Sequence, residues 1–244
     1  MSATLIIGDL ICEAVLVAVA VIWHLGARRL TGMGGLPARR DRVTFWGGLL
    51  TAAVVISPPI DAFGAHLFSM HMLQHLLLIL GAGPLLAWSR PERVIATIVP
   101  IPNLPVKGVE AAWAAAALFS VVILIWHVPI AHDWALSDPL AHAVEHLSML
   151  AASVVLWRFV VFARDALERA STIIIVWLIS LQGALLSAVI MFAPAQLCAS
   201  YANNPLTDQI GAGLLMCIPA SLAYAGSSIW ALARLFNERA SHAG

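Results

Sequence analysis

Seven uninterrupted apolar stretches decide what this chain can become. Each is long enough to cross a bilayer, which takes about 20 mostly apolar residues. They lie at roughly 5–25, 43–60, 67–88, 109–128, 139–158, 171–193 and 207–233. In hydrocarbon only helices or closed barrels satisfy their own backbone. Barrel strands alternate in polarity and these segments do not. The expectation is an all-α polytopic membrane protein, with residues 1–244 forming a single transmembrane domain of seven helices. Composition agrees: 61% of the 244 residues are hydrophobic and 11% are charged, where a soluble domain carries about 25% charged residues. Pro, Gly or charge marks the joins, as in "SPPIDAFG", "HVPIAHDWALSDP" and "APAQLCASYANNP".

Charge placement orients the bundle. Arg28, Arg29, Arg39, Arg40 and Arg42 follow the first span, and Arg90, Arg93 and Lys107 follow the third. Arg158, Arg164 and Arg169 lie at and after the end of the fifth, and Arg234 and Arg239 at the C-terminal end. All 13 basic residues thus fall on one side, which the positive-inside rule makes cytoplasmic. The N-terminus is expected outside and the C-terminus in the cytoplasm, with the chain multi-pass in the cell inner membrane. The first span has no basic residues ahead of it and reads as a span that stays, not a cleaved leader. Cys12, Cys198 and Cys217 form no CxxC pair, which argues against a thiol relay or a disulfide scaffold. Nothing points to nucleic acid. A retinal protein is disfavoured, because the lone lysine, Lys107, is in a loop.

This topology sends seven of the nine histidines to the outer side. The third span contains "HMLQHLLL" and the fifth contains "LAHAVEHLSML". Counted back from the inner tryptophans at ~1.5 Å per residue, His71 and His75 sit about 3 and 9 Å below the outer hydrocarbon edge. His142 and His146 sit about 6 and 12 Å deep by the same count. His127 ends the fourth span just inside that edge, while His66 and His132 are placed in the outer loops. His24 and His242 stand apart. On a helix, residues i, i+3 and i+4 share a face. His71, Gln74 and His75 form one polar stripe; His142, Glu145 and His146 form another, continued by Met149. Two parallel helices carrying such stripes at similar depth can supply imidazoles to one or two metal ions. Gln74 and Glu145 are placed as ligands or as partners that orient the rings. A single intramembrane histidine is often an interhelical hydrogen bond. Four or five at one depth are hard to explain that way, because unpaired polar groups in hydrocarbon are costly and those retained are usually functional.

Imidazole suits Cu, Zn, Fe and Ni, and thioethers shift the preference towards Cu(I). Met70, Met72, Met149 and Met191 fall in or near the outer half and lean the reading to copper. Asp208 and Gln209 open the seventh span; Asp208 is either a fifth ligand or a helix-capping group. Asp9 and Glu13 either line a polar path or lie buried and protonated. Gly81, Gly83 and Pro84 mark a bend in the third span.

At these residues the chain resembles the CtaG family of seven-helix cytochrome c oxidase assembly factors, associated with caa3-type oxidases. The matching stretches are "HMLQHLLLILGAGPLLAWSRP" (71–91), "WHVP" (126–129), "AHAVEHLSMLAASVVLW" (141–157) and "FAPAQLCASYANNPLTDQIGAGLLMCIP" (192–219). The resemblance covers about 45 to 236, and the order of the motifs is more specific than any one of them. It implies support of copper-centre formation in a haem-copper oxidase. It places the histidine motifs on His71, His75, His127, His142 and His146, and the "DQ" motif on Asp208 and Gln209. Trp134 and an extra His132 occupy a loop where the family often has a tyrosine, and Cys217 stands where a tryptophan is usual.

The leading expectation is a copper-handling assembly factor that is not an enzyme. It would take copper from the outer side, from a periplasmic donor, and pass it to an oxidase subunit within the lipid bilayer. A haem-bearing electron carrier with one outer haem is the alternative, since two histidines can bridge helices through haem iron. An intramembrane metalloprotease is a third reading, because "HAVEH" fits H-x-x-E-H. It would need a further acidic ligand downstream, and Asp208 is the one such candidate on the outer side.

Overall fold

A chain this apolar must close its hydrogen bonds within each segment, and every apolar run among the described residues is helical. The computed structural model describes residues 3–99 and 108–243, with side chains described for 6–99 and 108–237. Lys107 and the join at 100–107 lie outside them. The elements are α1 (Ala3–Gly32), α2 (Arg39–Ile56), α3 (Pro58–His66), α4 (Phe68–Leu77), a π-helical turn (Leu78–Ala82) and α5 (Gly83–Trp88). There follow α6 (Pro91–Ile95), α7 (Val109–Trp126), α8 (Pro129–Ser137), α9 (Pro139–Phe162), α10 (Ala166–Phe192), a 3-10 turn (Ala199–Tyr201) and α11 (Leu206–Ala243). No strand occurs among the described residues.

Among the described residues six segments are long and apolar enough to span a bilayer: Ile6–Gly32, Phe68–Trp88, Val109–Trp126, Pro139–Phe162, Ala166–Phe192 and Leu206–Asn237. A seventh exists if α2 and α3, bent by 51° at their junction, count as one span. The bend replaces the straight span expected at 43–60. Its cause is local: Ser57 is extended, and Pro58 and Pro59 start a new helix, where a missing N–H costs nothing. The Ser57 hydroxyl closes the end of α2 by donating to the Val54 carbonyl at 2.7 Å.

α9 is central, packing on α1, α5 and α7. One apolar cluster joins α7, α9 and α10 through Phe119, Ile123, Leu156, Trp157 and Ile179. A second joins α1, α2 and α9 through Leu16, Trp23, Phe45, Leu49 and Leu150. There the Trp23 and Phe45 rings stack with centroids 4.4 Å apart. The outer faces are apolar as well: Trp177, Leu185, Val189 and Phe192 of α10 are all exposed, as side chains that meet lipid must be.

The bend expected at Gly81–Pro84 is the π turn. In that register the Ile79 carbonyl should receive the N–H of residue 84, which is proline and has none. Ser153 Oγ and Trp157 Nε1 of α9 donate to it instead, at 2.7 and 3.0 Å. A β-carbon at Gly83 would collide with the Ser153 hydroxyl, so glycine there lets α5 and α9 meet closely. These contacts fix the register of the two helices that carry the histidine stripes.

A candidate metal centre

Glu145 lies on the second turn of α9, fully buried, with histidines on several sides. His71 Nε2 is 3.6 Å from Oε2, His75 Nε2 is 3.5 Å from Oε1, and His132 Nδ1 is 3.6 Å from Oε1. His142 Nδ1 lies 3.9 Å from Oε2. All of these side chains are essentially shielded from solvent. The separations exceed the 2.7–3.2 Å usual for hydrogen bonds. They approach those between ligands of one ion: bonds of about 2.0–2.1 Å in a tetrahedron set ligand atoms roughly 3.3 Å apart.

Two candidate ligand sets emerge among the described residues. His71, His75, Glu145 and His146 each offer an atom within 4.8 Å of the others, and so do Asp61, His142 and His146. His146 belongs to both. His142 Nε2 is 3.3 Å from Asp61 Oδ1 and 3.5 Å from Asp9 Oδ1. Both ring nitrogens of His71, His75, His142 and His146, and both oxygens of Glu145, lack hydrogen-bond partners. A buried polar group left unpaired costs about 1–3 kcal/mol. An array of this size needs a reason, and N and O donors converging on shared points fit a metal ion.

The surroundings orient the set. Gln74 Nε2 donates to the Val55 carbonyl at 3.0 Å and to Asp61 Oδ1 at 3.2 Å, tying the second ligand set to α2. A methyl at Gly64 would strike Gln74 Oε1, so glycine allows α3 to lie against α4. His127 Nδ1 bonds the Ile123 carbonyl at 2.7 Å, leaving Nε2 without a partner. Its ring is 5.7 Å from that of His75. Together they border a cavity of about 60 Å³ that Met72, Met216 and Tyr224 also line. Met149 packs in the apolar cluster of α7, α9 and α10.

Asp208 is placed elsewhere. Its carboxylate accepts from the Phe68 and Ser69 backbone N–H groups at 2.8 and 3.2 Å, from the Ser69 hydroxyl at 2.5 Å and from Asn204 at 3.2 Å. It caps α4, the helix that carries His71 and His75, and not its own. Gln209 holds the chain between α10 and α11, accepting from Leu197 N and donating to the Ile190 and Ala195 carbonyls. His66 and His24 are exposed, and the His242 side chain is outside the described ones.

Two participants were not singled out from sequence as site residues: Asp61, and His132 as a neighbour of Glu145. A signal for both existed. Pro58, Pro129 and Pro139 each open a helix, and three residues later stand Asp61, His132 and His142. Proline at the first helical position marks a start, not a break, and the third residue on turns inward in all three.

A family model described as cytochrome c oxidase caa3 assembly factor matches residues 18–238. The chain belongs to that family. Neither the curated proteins nor the solved structures yield a significant match. Both candidate ligand sets, including Asp61, fall within the matched region.

Proposed function

We propose that this protein binds copper at the Glu145-centred cluster and delivers it to a subunit of a haem-copper oxidase. The observation that carries the reading is the convergence of buried, unpartnered imidazoles from α4 and α9 on one carboxylate. His71, His75, Glu145 and His146 hold the ion. Asp61 and His142 offer an adjoining set through the shared His146, so cargo moves between sets without losing every ligand at once. The oxidase client makes copper the cargo. Met72 and Met216, beside His75 and His127, add soft sulfur along the side that borders the small cavity. In this reading the chain crosses the inner membrane seven times with its N-terminus outside. The cluster then faces the periplasmic half, where a copper donor loads it.

An outer haem suits the geometry less well. Small-molecule sites typically enclose about 300–1,000 Å³, and the cavity beside His75 and His127 measures about 60 Å³. A protease is disfavoured because Asp208, the acidic group expected downstream of the H-x-x-E-H stretch, is engaged by the start of α4.

Elemental analysis of the detergent-purified protein tests the proposal. Copper is expected in the wild type, and His71→Ala and His146→Ala should each lower it. Both variants should also impair oxidase assembly while the protein stays in the membrane. Wild-type copper in both variants, or a preparation that takes up zinc and never copper, would defeat the reading.

A further inference from the structure

Six arginines meet at the far end of the bundle. Arg158 lies 16 residues beyond His142 on the same helix, about 24 Å along its axis. Arg90 and Arg93 follow α5, Arg164 and Arg169 flank the start of α10, and Arg234 comes from α11. With Arg158 they line a cavity of about 540 Å³. One carboxylate lines it too, Glu92, which receives Arg158 Nε at 3.1 Å and sits 3.1 Å from its Nη2.

The pocket is built, not merely a basic rim. Arg90 and Arg158 both set their guanidinium carbons 4.2 Å from the centre of the Phe162 ring, so one aromatic ring positions two like charges. Arg90 is the single non-glycine residue with positive φ among the described residues, at 51°. Left-handed backbone is unfavourable for an L side chain, and here it turns arginine towards the cavity residues. Arg90 Nε is buried without a hydrogen-bond partner. Arg169 is buried and donates from Nη2 to the Arg164 carbonyl at 2.6 Å. Burial, and the charges of Arg93 and Arg40, push the Arg90 guanidinium below its ordinary value. Cations held this close gain from an anion between them.

We propose that this cavity is a binding site for a phosphate group. Guanidinium forks match phosphate oxygens in geometry and charge. The volume greatly exceeds one phosphate ion and falls in the range of small-molecule sites. The cavity lies where the spans end, at the level of lipid headgroups. Those features favour the headgroup of an anionic phospholipid; free phosphate has the same chemistry and is separated by the test.

The full-length protein in neutral detergent is titrated with phosphatidylglycerol, phosphatidylcholine and inorganic phosphate, and binding is read by native mass spectrometry and thermal shift. Phosphatidylglycerol should bind the wild type and phosphatidylcholine should not. Inorganic phosphate binding at the same site would identify a free-anion pocket; its failure alongside lipid binding would identify a headgroup pocket. Replacing Arg93 and Arg234 together by Gln should weaken binding about 30-fold, and replacing both by Lys should restore most of it. Should the double variant not fold, Arg164→Gln, at an exposed side chain, should cost about fivefold. Equal affinity of the Gln variants and the wild type, equal binding of the two lipids, or no binding of either phosphate source overturns the proposal.

Discussion

Glu145 and Asp208 are carboxylates at the same end of the bundle, and their surroundings differ in kind. Asp208 is half-buried and receives two backbone N–H groups, a hydroxyl and an amide. Glu145 is fully buried and accepts no hydrogen bond; imidazoles stand off at 3.5 to 3.9 Å. One carboxylate is saturated by the fold, and the other is left with its lone pairs aimed at a shared point. A saturated group stabilises structure. An unsaturated one is kept for a ligand, since the fold alone gains nothing from it. The same contrast runs through the neighbours. Asp133 and Gln209 are satisfied by loop backbone, whereas His71, His75, His142 and His146 are not.

The contrast is broken most directly at its centre. Glu145→Gln preserves size and removes the charge that the histidines surround. Copper affinity should fall by more than the ~10–100-fold that losing an outer-shell partner costs, with little loss of thermal stability. An unchanged affinity, measured by competition with a chelator, would place the ion elsewhere. Gln74→Ala tests the layer outside. Gln74 hydrogen-bonds to the candidate ligand set at Asp61 and to the α2 backbone, so affinity should drop roughly 10–100-fold. An effect as large as that of Glu145→Gln would show that Gln74 is itself a ligand.

Asp208→Asn should do the reverse. It keeps an oxygen for capping and loses the charge assistance, so α4 starts less firmly. A lost helix cap costs about 1 kcal/mol, read as a lower melting temperature in detergent. Copper stoichiometry should be unchanged. Loss of copper with full thermal stability would return Asp208 to the metal centre.

How much of this was legible beforehand follows the same physics. The stripes were readable because helical spacing alone puts His71, Gln74 and His75, and His142, Glu145 and His146, on one face each. The family resemblance was readable from those same residues. Asp61 and His132 were not singled out because they sit on short helices opened by prolines that read as joins. Their approach to Glu145 and His142 depends on how α3 and α8 fold back over the bundle. The two roles left open for Asp208 were equally unresolved, because its partners, Phe68 and Ser69, are far away in sequence. Span ends were blurred too. α1 runs on to Gly32 past Arg28 and Arg29, since charge ends a hydrophobic run without ending a helix.

The smallest expected effect lies at Asp133, the saturated carboxylate outside the spans. It receives the Ala199 and Ser200 N–H groups at 2.9 and 2.8 Å and the Ser200 hydroxyl at 2.6 Å, pinning the 3-10 turn to α8. Burial alone would raise its carboxyl, but these hydrogen bonds outweigh burial and hold it below the ordinary 3.8. The unfolded chain therefore binds a proton there more readily than the folded one. Its stabilising contribution is complete above the ordinary value and is lost as pH falls through the lowered one. Wild type should melt slightly above Asp133→Asn near neutral pH, and the gap should close as pH falls through the ordinary 3.8 and on through the lowered value. The carboxylate is only partly buried, so the gap should be small and should shrink in high salt. A gap that stays constant across that range would mean Asp133 acts through shape alone. The distinction between carboxylates saturated by backbone and carboxylates held for a ligand would then need a different test at this end of the molecule.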